Sequence, residues 1–193
     1  MIECENVSKQ YKAKAVITDF NYSFENKLYY LKGKNGSGKS TLFRMITGIE
    51  KVTSGRISNN AKQVLFLTDS GVGQKFLTIQ ENIELAYAMY GISLTAQIKE
   101  DIKQLYSEEQ LKTLYEKASL GMSLKVGCTL LFKMDFWDLI IIDETLSNID
   151  IESENILIKQ IEQLVDNDGT CVIVTSHNDL FGRYKLNYST IEI

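Results

Sequence analysis

A glycine-rich loop between an apolar run and a helix-like run constrains this chain more than any other feature. The segment "LKGKNGSGKSTLFRM" spans 31–45, and in it Gly33 is followed, after four residues, by Gly38, Lys39 and Ser40. Glycines at this spacing let backbone N–H groups turn towards phosphate oxygens, and the helix that follows directs its positive end at the same anion. The pattern predicts a phosphate-binding loop in which Lys39 contacts the β- and γ-phosphates and Ser40 offers its hydroxyl to Mg²⁺. The alternative is a glycine-rich turn without a ligand. This alternative is less favoured, because an apolar strand precedes the loop and a helix follows it.

The order of apolar segments predicts an α/β fold with a mainly parallel sheet. Segments before the loop carry β-branched and aromatic residues in loose alternation, which predicts an N-terminal antiparallel β part. "SGRIS" is expected to be a turn, ahead of a buried strand at 64–67. "LIIID" and "CVIVT" are continuous apolar runs, as in strands that helices cover on both faces, and "NYSTIEI" predicts a last strand. Strand–helix–strand order with right-handed crossovers then gives a mainly parallel sheet with flanking helices.

The segment from 76 to 134 has helical patterns almost throughout. "TIQE" and "SEEQ" within it are capping boxes, each just before an apolar helical run. We therefore expect a helical block inserted into a strand-based domain. The expected division is a single domain over 1–193, made of a core (1–75 and 135–193) and a helical subdomain (76–134).

Composition excludes several classes of protein. The net charge of −4 argues against nucleic acid as the main partner, because phosphate neutralisation needs clustered Lys and Arg. The three cysteines are far apart in sequence and are expected to be buried, reduced thiols rather than metal ligands. The N-terminus is polar, and no apolar run approaches the roughly 18 residues of a membrane helix. The expected location is therefore the cytoplasm, with any membrane attachment through a partner.

Two acids at the end of a buried strand complete the predicted site. Asp143 ends the run "LIIID" and is expected to be the second ligand of Mg²⁺, while Glu144 follows it and is expected to polarise the attacking water. The only histidine, His177, ends the next buried strand. Since parallel strands place their carboxyl ends on one edge, His177 is expected near the γ-phosphate or Glu144. Paired acids favour hydrolysis over simple nucleotide holding.

With these motifs in order along the chain, the sequence resembles the ATP-binding subunit of ABC transporters. "GKNGSGKST" is similar to the Walker A loop of that family, "LIIIDE" to its Walker B strand, "SNID" to its D-loop and His177 to its switch histidine. "TSGRI" resembles the turn after the first helix, and Tyr11 lies where the family has an aromatic residue that stacks on adenine. The resemblance implies that ATP is bound by the following residues: Tyr11, Gly33, Asn35, Gly36, Ser37, Gly38, Lys39, Ser40, Thr41, Ser119 and Gly121.

The segment "ASLGMS" resembles the signature that separates ABC proteins from other P-loop ATPases. Ser119 and Gly121 match the usual LSGGQ, while Ala118, Leu120 and Met122 do not. In the family this signature opens a helix and contacts the γ-phosphate held by a second subunit. Ser119 is expected to cap that helix, whose N–H groups then face an anion.

Two positions depart from the family pattern. The glutamine that follows the strand "LFL" is replaced by Asp69, and Gln74 lies five residues later; either residue is a candidate for the glutamine's role. If Asp69 reaches the metal, it is a third ligand beside Ser40 and Asp143. The proline that usually follows the paired acids is replaced by Thr145, and this change is expected to affect only the stiffness of that loop.

The resemblance implies an ATPase that uses ATP and Mg²⁺ and works as a dimer with a second ABC subunit. Closure of the dimer around two ATP molecules would drive a separate integral membrane permease, on the inner face of the membrane, and export is the expected direction. One alternative is an ABC ATPase of DNA repair or translation, which the acidic balance and the absence of a coiled-coil insertion disfavour. Another is a regulatory nucleotide-binding module with slow turnover.

Overall fold

The computed structural model describes residues 2–176, 180–184 and 186–193, and its strands form two sheets. Three strands form an antiparallel sheet in the order β2-β1-β4, and five form an entirely parallel sheet in the order β5-β6-β7-β3-β8. The predicted α/β class, with its parallel sheet and antiparallel N-terminal part, is confirmed. The strands are β1 (Ile2–Tyr11), β2 (Lys14–Phe24), β3 (Leu28–Lys32), β4 (Ser54–Asn59), β5 (Val64–Leu67), β6 (Leu139–Asp143), β7 (Cys171–Thr175) and β8 (Ser189–Glu192).

The central strands of the parallel sheet alternate their side chains between two cores. In β6, Ile140 and Ile142 belong to a core beneath the helices of the middle segment, while Leu139 and Ile141 belong to a core shared with the antiparallel sheet. All five residues of β6 are buried, and so are all five of β7. Burial on both faces explains why these strands are continuous apolar runs.

Two helices of the middle segment begin where the capping boxes predict, although α4 ends at Leu111 instead of continuing to Ala118. Helix α2 begins with a capping box of Thr78 and Glu81, and α4 begins with one of Ser107 and Gln110, so both predicted boxes are confirmed. Each box satisfies backbone N–H groups that a helix start leaves without partners. The helices are α1 (Lys39–Ile46), α2 (Ile79–Met89), α3 (Ala96–Leu105), α4 (Glu108–Leu111), α5 (Leu120–Cys128), α6 (Ile151–Asp166) and α7 (Leu180–Arg183), with 3₁₀ turns at Tyr115–Lys117, Thr129–Phe132 and Thr145–Asn148.

Strand β4 occupies a segment that the sequence predicts to be a turn, so that prediction is wrong. It pairs antiparallel with β1, with Ile57 opposite Cys4. Gly55 makes the pairing possible, since it has a φ of 81° and a side chain there would lie 2.2 Å from the carbonyl oxygen of Asn6. Asn6 has a φ of 49°, at an irregularity of β1. A glycine that looks like a turn residue thus allows a close backbone approach inside a sheet.

The cysteines are buried and free, as expected. Burial raises the pKa of each thiol, Cys4, Cys128 and Cys171, to about 12. Such thiols stay protonated and behave as small apolar side chains. Across the described ranges, no helix is both long and apolar enough to cross a membrane.

Candidate functional site

The glycine-rich loop connects the end of β3 to the start of α1, as predicted. Gly36 and Gly38 have φ values of 80° and 108°, which glycine adopts without strain. Gly38 also packs closely, because a side chain there would lie 2.9 Å from Ile17 and 3.0 Å from Val16. The loop therefore depends on glycine both for its turn and for its contact with β2.

Lys39, the first residue of α1, is folded back over the loop. Its Nζ donates to the carbonyl oxygens of Gly33 at 2.9 Å and Lys34 at 3.3 Å, and the residue is only 8% exposed. The loop thus holds the ammonium group beside its own backbone, at the start of a helix that carries no acidic residue in its first turn. This arrangement provides a fixed cation and a helix N-terminus for one anion.

A cleft of about 340 Å³ lies over this loop. It brings together the loop, the start of α1, one residue of β2 and one of the two predicted acids, Glu144. This placement agrees with a phosphate site next to a water-activating carboxylate. The cleft is lined by Val16, Asn35, Gly36, Gly38, Lys39, Ser40, Thr41 and Glu144.

Asp143 and Glu144 lie at the carboxyl end of β6, beside the end of β7. Asp143 is 7% exposed, and its Oδ1 accepts a hydrogen bond of 2.9 Å from the hydroxyl of Thr175. Glu144 has a φ of 60°, and its backbone N–H donates to the carbonyl and hydroxyl oxygens of Thr175, each at 3.2 Å. Thr175 therefore orients the carboxylate of Asp143 and holds the backbone of Glu144.

Ser119 and Gly121 are not among the residues that line the cleft. Ser119 caps α5 as predicted, since its side chain accepts a hydrogen bond from the backbone N–H of Met122 at 3.2 Å. Gly121 faces the D-loop segment, where a side chain would lie 3.3 Å from the carbonyl oxygen of Asn148. Leu120 between them is 55% exposed. The helix start is thus presented outwards rather than to the cleft of its own chain.

Three other predicted residues do not line the cleft. Tyr11 ends β1, is 42% exposed and is not among the residues that line the cleft. Asp69 is exposed two residues beyond β5, and its Oδ1 accepts a hydrogen bond from the hydroxyl of Ser70 at 3.3 Å. Gln74 is also exposed and lies against α2, where its backbone N–H and carbonyl bond the side chain of Asn82. His177 lies outside the described residues.

The residues of this chain that could hold a metal ion here are Ser40 and Asp143. Within 2–176, 180–184 and 186–193, no three His, Cys, Asp or Glu side chains gather closely enough to hold a metal. Mg²⁺ in nucleotide sites is usually bound by one or two carboxylates together with phosphates. The hydroxyl of Ser40 in the cleft and the carboxylate of Asp143 fit an ion that arrives with a phosphate ligand.

Sequence reasoning missed two residues of the site. Val16 forms part of the cleft wall, and nothing in its local sequence indicates this, because β2 reaches the loop through sheet packing. The position of Thr175 did indicate a place in the site, since it ends β7 at the edge where the carboxyl ends of parallel strands meet.

A buried lysine connects the helix that Ser119 caps to the D-loop. Lys125 of α5 is 4% exposed, and its Nζ donates to the carbonyl oxygen of Leu105 at 2.8 Å, to Asp150 at 3.0 Å and to the hydroxyl of Ser153 at 3.2 Å. The ammonium group also lies 5.0 Å from the ring centroid of Tyr106. This lysine therefore ties α5, the end of α3 and the start of α6 together.

These contacts lower the pKa of Asp150. Partial burial alone would raise its pKa, but hydrogen bonds from Ser153 and the Lys125 ammonium outweigh this effect and lower the pKa from 3.8 to about 2. A lowered folded-state pKa stabilises the fold above the unfolded value. That stability is lost as the pH falls from about 4 to about 2.

Substituting Lys125 tests this connection. Lys125→Met should lower the free energy of unfolding at pH 7 by about 1–3 kcal/mol, because the buried acceptors of Leu105 and Ser153 lose their donor. The exposed Lys159→Met on α6 is the matched control. In urea titrations the difference between wild type and Lys125→Met should shrink as the pH falls from 4 to 2. A loss no larger than that of the control would contradict a structural role for Lys125.

Comparison with known proteins places these features in one family. The family model described as ABC transporter matches residues 18–147. The chain is 29% identical over 194 residues to the linearmycin resistance ATP-binding protein LnrL of Bacillus subtilis. That match covers 92% of this chain and 61% of LnrL. It is 30% identical over 190 residues to the zinc import ATP-binding protein ZnuC of Rickettsia bellii, and this match covers 94% of this chain and 77% of ZnuC. The chain thus spans about three fifths of the length of LnrL.

A solved structure shows the same fold. A dimeric ATP-binding cassette, MJ0796, in a post-hydrolysis state with ADP and Pi, superposes with a TM-score of 0.80 at 20% identity. The match covers 100% of this chain and 96% of that one. The similarity therefore extends over the parallel sheet, the antiparallel sheet and the helices between them.

Proposed function

Because this chain belongs to the ABC transporter family, we propose that it binds and hydrolyses ATP to drive a separate membrane permease. The observation that carries this proposal is the cleft, where Glu144 lies with Lys39 and Ser40 over the glycine-rich loop. Lys39 and the start of α1 stabilise the negative charge of the phosphates. Glu144 accepts the proton of the attacking water, and Thr175 keeps Glu144 in position.

The metal proposal follows from the same residues. Mg²⁺ bound with ATP offsets charge on the β- and γ-phosphates. Ser40 and Asp143 are the proposed ligands of this chain, and Thr175 orients the Asp143 carboxylate by its hydrogen bond. Asp69 is a proposed further ligand, with Gln74 as the alternative at that place. Tyr11 is proposed to stack on the base and His177 to contact the γ-phosphate.

The working unit is proposed to be a dimer. Ser119 and Gly121 do not line the cleft of their own chain, so each signature is available to the cleft of a second subunit. Leu120 beside the signature and Ile151 at the start of α6 are 55% and 52% exposed, which suits a surface that a second copy covers. In this proposal 1–75 with 135–193 forms the core and 76–134 the helical subdomain.

The permease is proposed to bind an apolar groove beside α2. The groove has a volume of about 270 Å³ and is formed by β5, the loop after it and α2. Met89, which lines the groove, is 77% exposed. A helical segment of a membrane subunit is the proposed occupant, since apolar anchors on a helix fit such a groove. The groove is lined by Leu65, Phe66, Leu67, Val72, Gly73, Gln74, Asn82, Leu85, Ala86, Met89, Tyr90 and Leu130.

Export is the proposed direction of transport. LnrL is a linearmycin resistance protein, which supports export, whereas ZnuC is a zinc import protein, which supports the opposite direction. ATP-driven accumulation inside inside-out membrane vesicles would support export. ATP-driven loss from preloaded vesicles of that orientation would contradict it.

Binding to membranes and ATP turnover test the proposed function together. The protein is added to inside-out vesicles of its source organism that have been stripped of peripheral proteins. We expect ATP hydrolysis by the protein alone, co-sedimentation with the vesicles and faster turnover in their presence. Absence of turnover with and without vesicles would contradict the proposal.

Met89→Glu should abolish co-sedimentation, because it places a charge in the apolar groove without touching the ATP cleft. Ala96→Glu is the matched control, since it adds the same charge at an exposed position of α3. Both variants should hydrolyse ATP like the wild type in the absence of vesicles. Equal co-sedimentation of the two variants would show that the permease binds elsewhere.

A further inference from the structure

Glu50 connects the end of β1 to the helix that follows the glycine-rich loop. Its carboxylate accepts hydrogen bonds from the hydroxyl of Tyr11 and from the Nζ of Lys9, the latter at 2.8 Å. On its other side, Oε2 lies 3.5 Å from Nε of Arg44, in the last turn of α1. The backbone N–H of Glu50 also donates to the carbonyl oxygen of Arg44 at 2.9 Å.

These contacts stabilise the ionised form of Glu50, whose side chain is partly buried. Hydrogen bonds from Lys9, then from Tyr11, lower its pKa below the usual range. Its side chain is 21% exposed and that of Lys9 is 13% exposed. Lys9 is held in turn by the carbonyl oxygen of Lys51 at 2.7 Å. The cluster is therefore a built feature, unlike a surface ion pair between two mobile side chains.

The cluster leaves part of the Tyr11 ring open. The Lys9 ammonium lies over the ring, 4.9 Å from its centroid, yet Tyr11 remains 42% exposed. Tyr11 pairs with Lys14 at the end of the β1–β2 hairpin, and Val16 of the same hairpin lines the cleft. Glu50 thus fixes the ring relative to α1, which begins at Lys39.

We propose that Glu50 is a positioning residue for the nucleotide base, because it holds the Tyr11 ring at a fixed place relative to the phosphate loop. This inference rests on the proposed function, in which ATP binds the loop and its base stacks on Tyr11. A ring that is already ordered loses less conformational freedom when a base stacks on it. Glu50 touches neither base nor phosphate in this proposal, and acts through Tyr11 alone.

A comparison of ATP with inorganic tripolyphosphate tests the proposal, because tripolyphosphate has no base. Calorimetry gives the affinity for both, and their ratio isolates the contribution of the base from any effect of charge on the phosphates. Tyr11→Ala should lower this ratio by about tenfold or more. Glu50→Ala should lower it by about three- to tenfold, and Tyr11→Phe, which keeps the ring but loses its hydroxyl, should do the same.

Two further variants make the assignment specific. The double variant Glu50→Ala/Tyr11→Ala should have the same ratio as Tyr11→Ala alone, since Glu50 acts only through that ring. Glu50→Gln keeps an acceptor for the Tyr11 hydroxyl and should stay within about twofold of the wild-type ratio. Glu3→Ala removes an exposed acid of the same strand and is the control, with an unchanged ratio.

The outcomes separate this proposal from the function on which it rests. A wild-type ratio in Tyr11→Phe overturns the proposal even if Glu50→Ala does not fold. An additive double variant also overturns it, because Glu50 would then act apart from Tyr11. Wild-type protein that binds neither ATP nor tripolyphosphate overturns the proposed function, and the role of Glu50 with it.

Discussion

Lys39→Ala should lower the affinity for ATP by about 10- to 150-fold. Hydrogen bonds to charged groups contribute about 1.5–3 kcal/mol, and the β- and γ-phosphates would lose the cation next to them. The substitution also removes the bonds from Nζ to the carbonyl oxygens of Gly33 and Lys34, which hold the loop in shape. Both effects weaken binding, and calorimetry with ATP in the presence of Mg²⁺ measures their sum.

Lys34→Ala is the matched control for this variant. It removes an exposed lysine from the same loop and keeps the backbone carbonyl that accepts from Lys39. Its ATP affinity should stay within a few-fold of wild type, because a solvated side chain contributes little beyond screened attraction. Thermal unfolding of both variants checks that the fold is intact. Near-normal ATP affinity in a folded Lys39→Ala would refute the phosphate-loop assignment.

The parts of the fold that sequence predicts well are those set by local patterns. The phosphate loop, its strand and its helix lie within 31–45, so spacing and glycine content are enough to identify them. The buried runs of β6 and β7 are apolar because both of their faces are covered, and such runs are visible in any sequence. The capping boxes are local as well.

The parts that sequence does not predict depend on contacts between distant residues. β4 forms because its edge pairs with β1, and Gly55 gives no sign of that partner. The ion pair of Lys125 with Asp150 joins residues 25 apart in sequence, and Glu50 meets Lys9 across two different elements. No periodicity encodes such pairs, since they arise only once the elements are packed.

The roles proposed for the signature and for Asp69 involve groups outside this chain. Among the contacts of the described residues, Ser119 caps α5 and Asp69 bonds Ser70. Their functions are therefore tested by assembly and turnover rather than by contacts within one chain.

Glu144→Gln should stop ATP hydrolysis while it preserves ATP binding. The amide has the same shape as the carboxylate but cannot accept the proton of the attacking water, and general base catalysis contributes about 10²- to 10⁴-fold in rate. The backbone of Glu144 is held at a φ of 60° by bonds to Thr175, and its carbonyl oxygen accepts from Asn148 at 3.1 Å, so the substitution leaves these contacts in place. Turnover assays and calorimetry with ATP measure the two effects separately.

If the site is shared between two subunits, ATP that cannot be hydrolysed should hold them together. Gel filtration of Glu144→Gln should then show a dimer with ATP and a monomer without it, whereas the wild type returns to a monomer as it consumes ATP. Glu162→Gln, which removes an exposed acid of α6, is the matched control and should behave like the wild type. Adding Lys39→Ala to Glu144→Gln should abolish the dimer, because the nucleotide that joins the subunits is lost. Undiminished turnover in Glu144→Gln would remove Glu144 from the role of general base, and a monomer at high protein concentration with saturating ATP would contradict a site shared between two copies of this chain.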